Sequence, residues 1–187
     1  KVKDAFIIMS KLSKEVAIPL LFMCYYNTVF VYGVEKFCKD AANAGATGLI
    51  VPDIPLDEES EEHFLFYCKK YNLHAIRVIS PASTKDRLEK NANVASGFVY
   101  FTSRQGTTGA STDLDPQLVE NLAKVQKYII QPIAVGFGIS KKEHVQALQG
   151  HAAIAVVGSA ILNVINSSKK ENREKDVARF IRKLMLQ

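Results

Sequence analysis

The chain has 187 residues, 48% of them apolar, and its 24 lysines and arginines against 19 aspartates and glutamates give a formal net charge of +5. That length and apolar content suit one well-buried domain over 1–187 and hardly two. Acidic and basic residues are interleaved. The basic stretch "SSKKENREKDVARFIRKLMLQ" keeps an apolar side at Val177, Phe180, Ile181 and Leu184, so it reads as a solvated helix face and not as a nucleic-acid patch. No aromatics alternate with basic residues as a single-strand-binding groove requires. No apolar run approaches the roughly 20 residues of a membrane span, and the first residues lack the form of a signal peptide, so a cytoplasmic protein with neither nucleic acid nor membrane as partner is expected.

The elements alternate along the chain. Apolar spacing predicts a helix over 3–16, then a strand over 19–24 (PLLFMC) and a helix over 34–44. A strand over 48–51 (GLIV) precedes a helix over 57–71, and a strand over 73–79 (LHAIRVI) precedes one over 84–92. Strands over 97–102, 132–135 and 153–157 are followed by helices over 115–128, 140–149 and 159–166, with one more helix at the C-terminal end. Near-continuous apolar strands separated by amphipathic stretches imply a parallel sheet covered by helices, either doubly wound or closed as a barrel. Neither G-x-G-x-x-G after the first strand nor a Walker sequence is present, which favours the barrel.

Three strands run out into small-residue turns: "SRQGTTGAST" (103–112), "GFGIS" (136–140) and "GSAIL" (158–162). A glycine there marks a sharp bend or a close approach of the backbone. Three such turns in succession point to a shared anion, most often phosphate, held on main-chain N–H groups and by the positive end of a helix. In a barrel the loops after the late strands commonly hold phosphate with the help of a short extra helix, and 159–166 suits that helix. Cys24, Cys38 and Cys68 are odd in number and lie among apolar neighbours, so reduced, buried thiols are expected. His63, His74, His144 and His151 show no ligand spacing, and no metal is expected.

"PLLFMCYYNTVFVYGVEKF", "AGATGLIVPDIPLDEE", "GFVYFTSRQGTTGA", "PIAVGFGIS" and "VVGSAIL", in this order and spacing, resemble the alpha subunit of tryptophan synthase. The resemblance implies a (β/α)8 TIM barrel that cleaves indole-3-glycerol phosphate to indole and glyceraldehyde 3-phosphate, a carbon–carbon lyase of tryptophan biosynthesis. It puts the substrate phosphate on the backbone at Gly109, Gly138, Gly158 and Ser159, with the Ser159 hydroxyl assisting. Tyr100 matches a tyrosine that lines the substrate site, against the plain alternative of a core aromatic with a satisfied hydroxyl. Thr108 matches a threonine of a loop that closes over substrate, and Arg104 opens that loop. Phe137 and Met23 offer apolar surface to the indole ring, with core packing an equal alternative for Met23. Tyr25, Asn27, Asp53 and Pro55 match positions that meet the beta subunit in an alpha2beta2 heterotetramer. For Asp53, an N-cap on a helix beginning near Leu56 is at least as good a reading. No cofactor is expected in this chain; pyridoxal phosphate belongs to the beta partner.

The resemblance also carries departures. Cleaving the bond requires protonating the indole carbon while a hydroxyl proton is removed, work suited to carboxylates. The family places these in the early barrel, on a glutamate after the second strand and an aspartate in a P-F-S-D-P-type loop, and no stretch here matches either. "KVKDAFIIMSKL" resembles the helix after the family's second strand. The six strands are thus expected to be strands three to eight of an incomplete barrel, and the 187-residue chain alone is expected to be weakly active or inactive. Thr28 replaces a frequent proline, and Ala153–Ile154 a frequent Asp-Gly. Two other classes stay open: another phosphate-binding barrel enzyme, or a non-catalytic module that binds a phosphate ligand and activates a beta-type partner.

Overall fold

A computed structural model describes residues 1–102, 117–136 and 138–185. Arg104, Gly106, Thr108, Gly109 and Phe137 lie outside the described residues. The chain divides into two compact units, 1–78 with 89–99 and 79–88 with 100–187.

In the first unit, α1 (Val2–Glu15) leads into β1 (Leu21–Met23), followed by α2 (Tyr26–Tyr32), α3 (Val34–Asn43) and β2 (Gly48–Ile50). A 3-10 turn over Leu56–Glu58, α4 (Glu59–Glu62) and α5 (Phe64–Lys70) then lead to β3 (His74–Ile79). The strands lie in the order β1-β2-β3, all parallel, with Leu21 opposite Gly48 and Gly48 opposite His74. Gly48 allows this close pairing, since a Cβ there would press on the His74 carbonyl at 2.7 Å. Phe6, Phe22, Tyr32 and Phe37 pack in edge-to-face and tilted pairs with ring centroids 5.2–6.2 Å apart, joining α1, α2 and α3 to β1. Beneath them Val29, Cys38, Leu49, Phe64 and Cys68 are fully buried.

Two departures from the predicted elements have local causes. The helix expected over 57–71 is broken at His63, which adopts a left-handed conformation with φ +53. The Glu59 carboxylate then accepts hydrogen bonds from the amides of Leu65 (2.8 Å) and Phe66 (3.0 Å), so the chain restarts as α5 on a cap supplied by its own preceding turn. The unexpected helix α2 is likewise capped from a distance, as described below. Cys38 and Cys68 are buried free thiols, as expected, whereas Cys24 is only half-buried.

The second unit contains β4 (Val99–Thr102), whose first residue falls in the other unit, then α7 (Leu118–Val125), β5 (Ile133–Gly136), α8 (Lys142–Ala147), β6 (Ile154–Ala155), α9 (Ser159–Ser167) and α10 (Arg173–Met185). The helix α6 (Lys85–Val94) is divided between the units. The order is β4-β5-β6, and β5 runs parallel to β6 with Ala134 opposite Ile154. Phe101, Leu122, Ala134 and Val135 are completely buried here. The helix α10 packs on α9 and α8; its acidic first turn (Glu174, Asp176) and basic last turn (Arg182, Lys183) match the helix dipole. The strand predicted over 153–157 shortens to two residues, although Val156 N still donates to Val135 O at 2.8 Å.

Candidate functional site

In the second unit, the turns after β5 and β6 leave the same end of the sheet. Val135 pairs with Ala155, so Gly138 and Gly158 each stand three residues beyond one member of a paired couple in adjacent parallel strands. The glycines of "GFGIS" answer two different demands. At Gly136 a Cβ would overlap the hydroxyl and ring of Tyr100, so the missing side chain makes room for that phenol. At Gly138 the backbone takes φ +79, which L side chains rarely adopt. Behind the turn, Nδ1 of the buried His144 lies 2.9 Å from the Gly138 carbonyl oxygen and 3.3 Å from the Ser140 amide nitrogen.

Gly158 presents the opposite case. A Cβ there would meet nothing within 4 Å, so packing does not require glycine. Gly158 is the N-cap of α9, no side chain among the described residues caps that helix, and its first turn is a small-residue run. Tyr100 is the second residue of β4, not its last, and is buried; burial raises its pKa above the usual phenol value. Thr102 ends the strand and donates from Oγ1 to the Ile79 carbonyl at 3.3 Å.

In the first unit the strand-end residues singled out from the sequence are all exposed. Met23 is 59% and Tyr25 71% exposed, and Asn27, Asp53 and Pro55 are exposed as well. Asp53 does not cap a helix near Leu56, where Pro55 holds the cap position. Its Oδ1 instead accepts from the amide of Tyr26 at 2.7 Å, so it caps the first turn of α2 from 27 residues away. This bond brings the loop bearing Asp53 and Pro55 against Tyr25 and the first turn of α2, which bears Asn27. The Tyr26 hydroxyl donates to Glu62, and burial followed by this bond drives the phenol pKa upward. The half-buried Cys24 thiol is pushed up to about 11, by burial first and by the Asp53 carboxylate second.

Arg77 supports the same loop from below. It is 6% exposed, donates from Nε to Asn91 Oδ1 at 2.9 Å, and donates from Nη2 to the Ile54 carbonyl at 3.1 Å. Neither Arg77 nor His144 was singled out in the sequence. A lone cation inside the apolar run "LHAIRVI" is the signal for Arg77; His144 has no comparable one.

Two clefts are lined by described residues at other strand ends. One of about 700 Å³ is lined by Asn72–Ala75, at the start of β3, and one of about 450 Å³ by Pro132, Ile133, Ala152 and Ala153, at the starts of β5 and β6. Both are at the amino ends of their strands. Among the described residues, no three His, Cys, Asp or Glu side chains are grouped to hold a metal ion. No described helix is long and apolar enough to cross a membrane.

The family model "Tryptophan synthase alpha chain" matches residues 1–185. The tryptophan synthase alpha chain of Desulfotalea psychrophila is 40% identical over 98% of this chain and 70% of its own length. For Methanocaldococcus jannaschii the values are 39%, 94% and 63%, and for Methanosarcina barkeri 45%, 84% and 59%. This chain thus spans between about three fifths and seven tenths of the length of these relatives. A solved mutant tryptophan synthase alpha-subunit from the hyperthermophile Pyrococcus furiosus superposes with a TM-score of 0.88 at 27% identity, over 99% of this chain and 73% of that one. The fold is α/β, of the TIM-barrel type, and the chain belongs to the tryptophan synthase alpha chain family.

Proposed function

We propose that this chain performs the alpha-chain part of tryptophan biosynthesis, binding indole-3-glycerol phosphate for cleavage to indole and glyceraldehyde 3-phosphate. The observation that carries the proposal is the empty space before Gly158 next to an uncapped helix start, in the strand adjacent to the Gly138 turn. A glycine that packing among the described residues does not require, at a helix N-terminus with no side-chain cap, suits the close approach of a phosphate. In this proposal the phosphate is bound by the backbone at Gly138, Gly158 and Ser159, by the Ser159 hydroxyl, and by Gly109. Tyr100 faces the glycerol portion. Arg104 and Thr108 belong to the loop that closes over substrate.

The exposed group Tyr25, Asn27, Asp53 and Pro55 is proposed as the surface for a beta subunit in an alpha2beta2 assembly, with pyridoxal phosphate in that partner only. The bond from Tyr26 to Asp53 supports this, because it holds the two loops in one presentation. The six strands are proposed to correspond to strands three to eight of the family barrel. The proposal assigns substrate holding and partner activation to these residues.

Two measurements test this. Titration with indole-3-glycerol phosphate is expected to give saturable binding that inorganic phosphate competes away, and the absence of binding overturns the phosphate assignment. Indole release by the chain alone is expected to be slight, and normal turnover overturns the assignment of roles. Enhancement of serine-dependent tryptophan formation by an added beta subunit supports the activating module even without cleavage.

A further inference from the structure

The turn after β5 has a side chain behind it that substrate binding does not itself use. His144 is 6% exposed, and one of its ring atoms, Nδ1, stands 2.9 Å from an acceptor, Gly138 O, and 3.3 Å from a donor, Ser140 N. A single ring nitrogen cannot serve both at once. Protonated, Nδ1 donates to the Gly138 carbonyl; bare, it accepts from the Ser140 amide. Either way the ring is tied to the turn. Gly138 has no side chain to hold its own orientation, and its φ of +79 lies in a region that glycine enters and leaves at little cost.

We propose that His144 is the positioning residue of the anion-binding turn: through Nδ1 it holds the peptide leaving Gly138, which carries the Gly138 carbonyl and the Ile139 N–H, and so keeps the turn in the one arrangement that meets the substrate phosphate. This inference rests on the phosphate role proposed above. It predicts which atom of the ring matters. An asparagine side chain reaches as far as Nδ1 and carries both a donor and an acceptor. A glutamine reaches one bond further, towards the position of Nε2, and a leucine offers neither group.

The test is titration with glycerol 3-phosphate of the wild-type chain and of His144→Asn, His144→Gln and His144→Leu, well below each melting temperature. Wild type and His144→Asn are expected to bind within about twofold of each other, while His144→Gln and His144→Leu bind about three- to tenfold more weakly. A merely structural role would follow the melting temperatures and not the reach of the side chain. If all four proteins bind alike, or His144→Asn falls with His144→Leu, the inference fails and the phosphate role stands. If wild type does not bind, the phosphate role fails and takes the inference with it.

Discussion

Around Asp53 the backbone is fastened by side chains, whereas around Gly158 it is left bare. In the first region Asp53 caps α2, Tyr26 reaches Glu62, Glu59 caps α5 and Arg77 supports Ile54 O. In the second, no side chain caps α9 and nothing stands within 4 Å of where a Cβ would be at Gly158. The contrast matches two kinds of ligand. A protein partner reads a surface of side chains, which must be presented in one arrangement before it arrives. A phosphate reads unpaired amides, which are useful because nothing else has taken them. The turn at Gly138 is held from one side by the buried ring of His144.

Substitutions that cross these regions test the contrast. Gly136→Val should have the largest effect on stability, about 3 kcal/mol, since the new side chain enters the space of Tyr100; the unfolding midpoint in urea measures it. Arg77→Met should cost about 2 kcal/mol by leaving Ile54 O and Asn91 without this donor, and it should weaken association with a beta subunit while glycerol 3-phosphate binding is unchanged. Asp53→Ala should cost about 1 kcal/mol through loss of the α2 cap, with the same selective effect on association. Gly158→Ala should change stability by less than about 0.5 kcal/mol but reduce phosphate affinity, because the methyl group enters the open space; equal affinity would show that no ligand uses it. In the intact protein, Cys24 should alkylate at pH 8 about a hundredfold more slowly than an ordinary exposed cysteine, because a thiol with pKa about 11 is almost wholly protonated there. Comparable rates would show that neither burial nor Asp53 governs it.

Much of the architecture was legible because it depends on local periodicity. The six strands and the helices α1, α3, α6, α9 and α10 appear within a few residues of their expected places. The helix α2 was not legible. "YNTVFVY" is aromatic and β-branched, which favours strand, and its capping group arrives from residue 53. The break at His63 was hidden for a related reason: apolar spacing continues through it, and the left-handed residue is stabilised by what Glu59 does next. At the candidate site the glycines could be recognised as special, but not the reason for each. Three-dimensional packing separates Gly136, which yields to Tyr100, from Gly158, which has no neighbour among the described residues within 4 Å of its missing Cβ.

The fit of Tyr100 against Gly136 has an evolutionary consequence. The two positions share one volume, so neither can drift alone: a larger residue at 136 becomes tolerable only after the phenol at 100 has shrunk, and the intermediate with both side chains large is the one that selection removes. Lineages that keep tyrosine on the fourth strand are thereby bound to keep glycine at the end of the fifth.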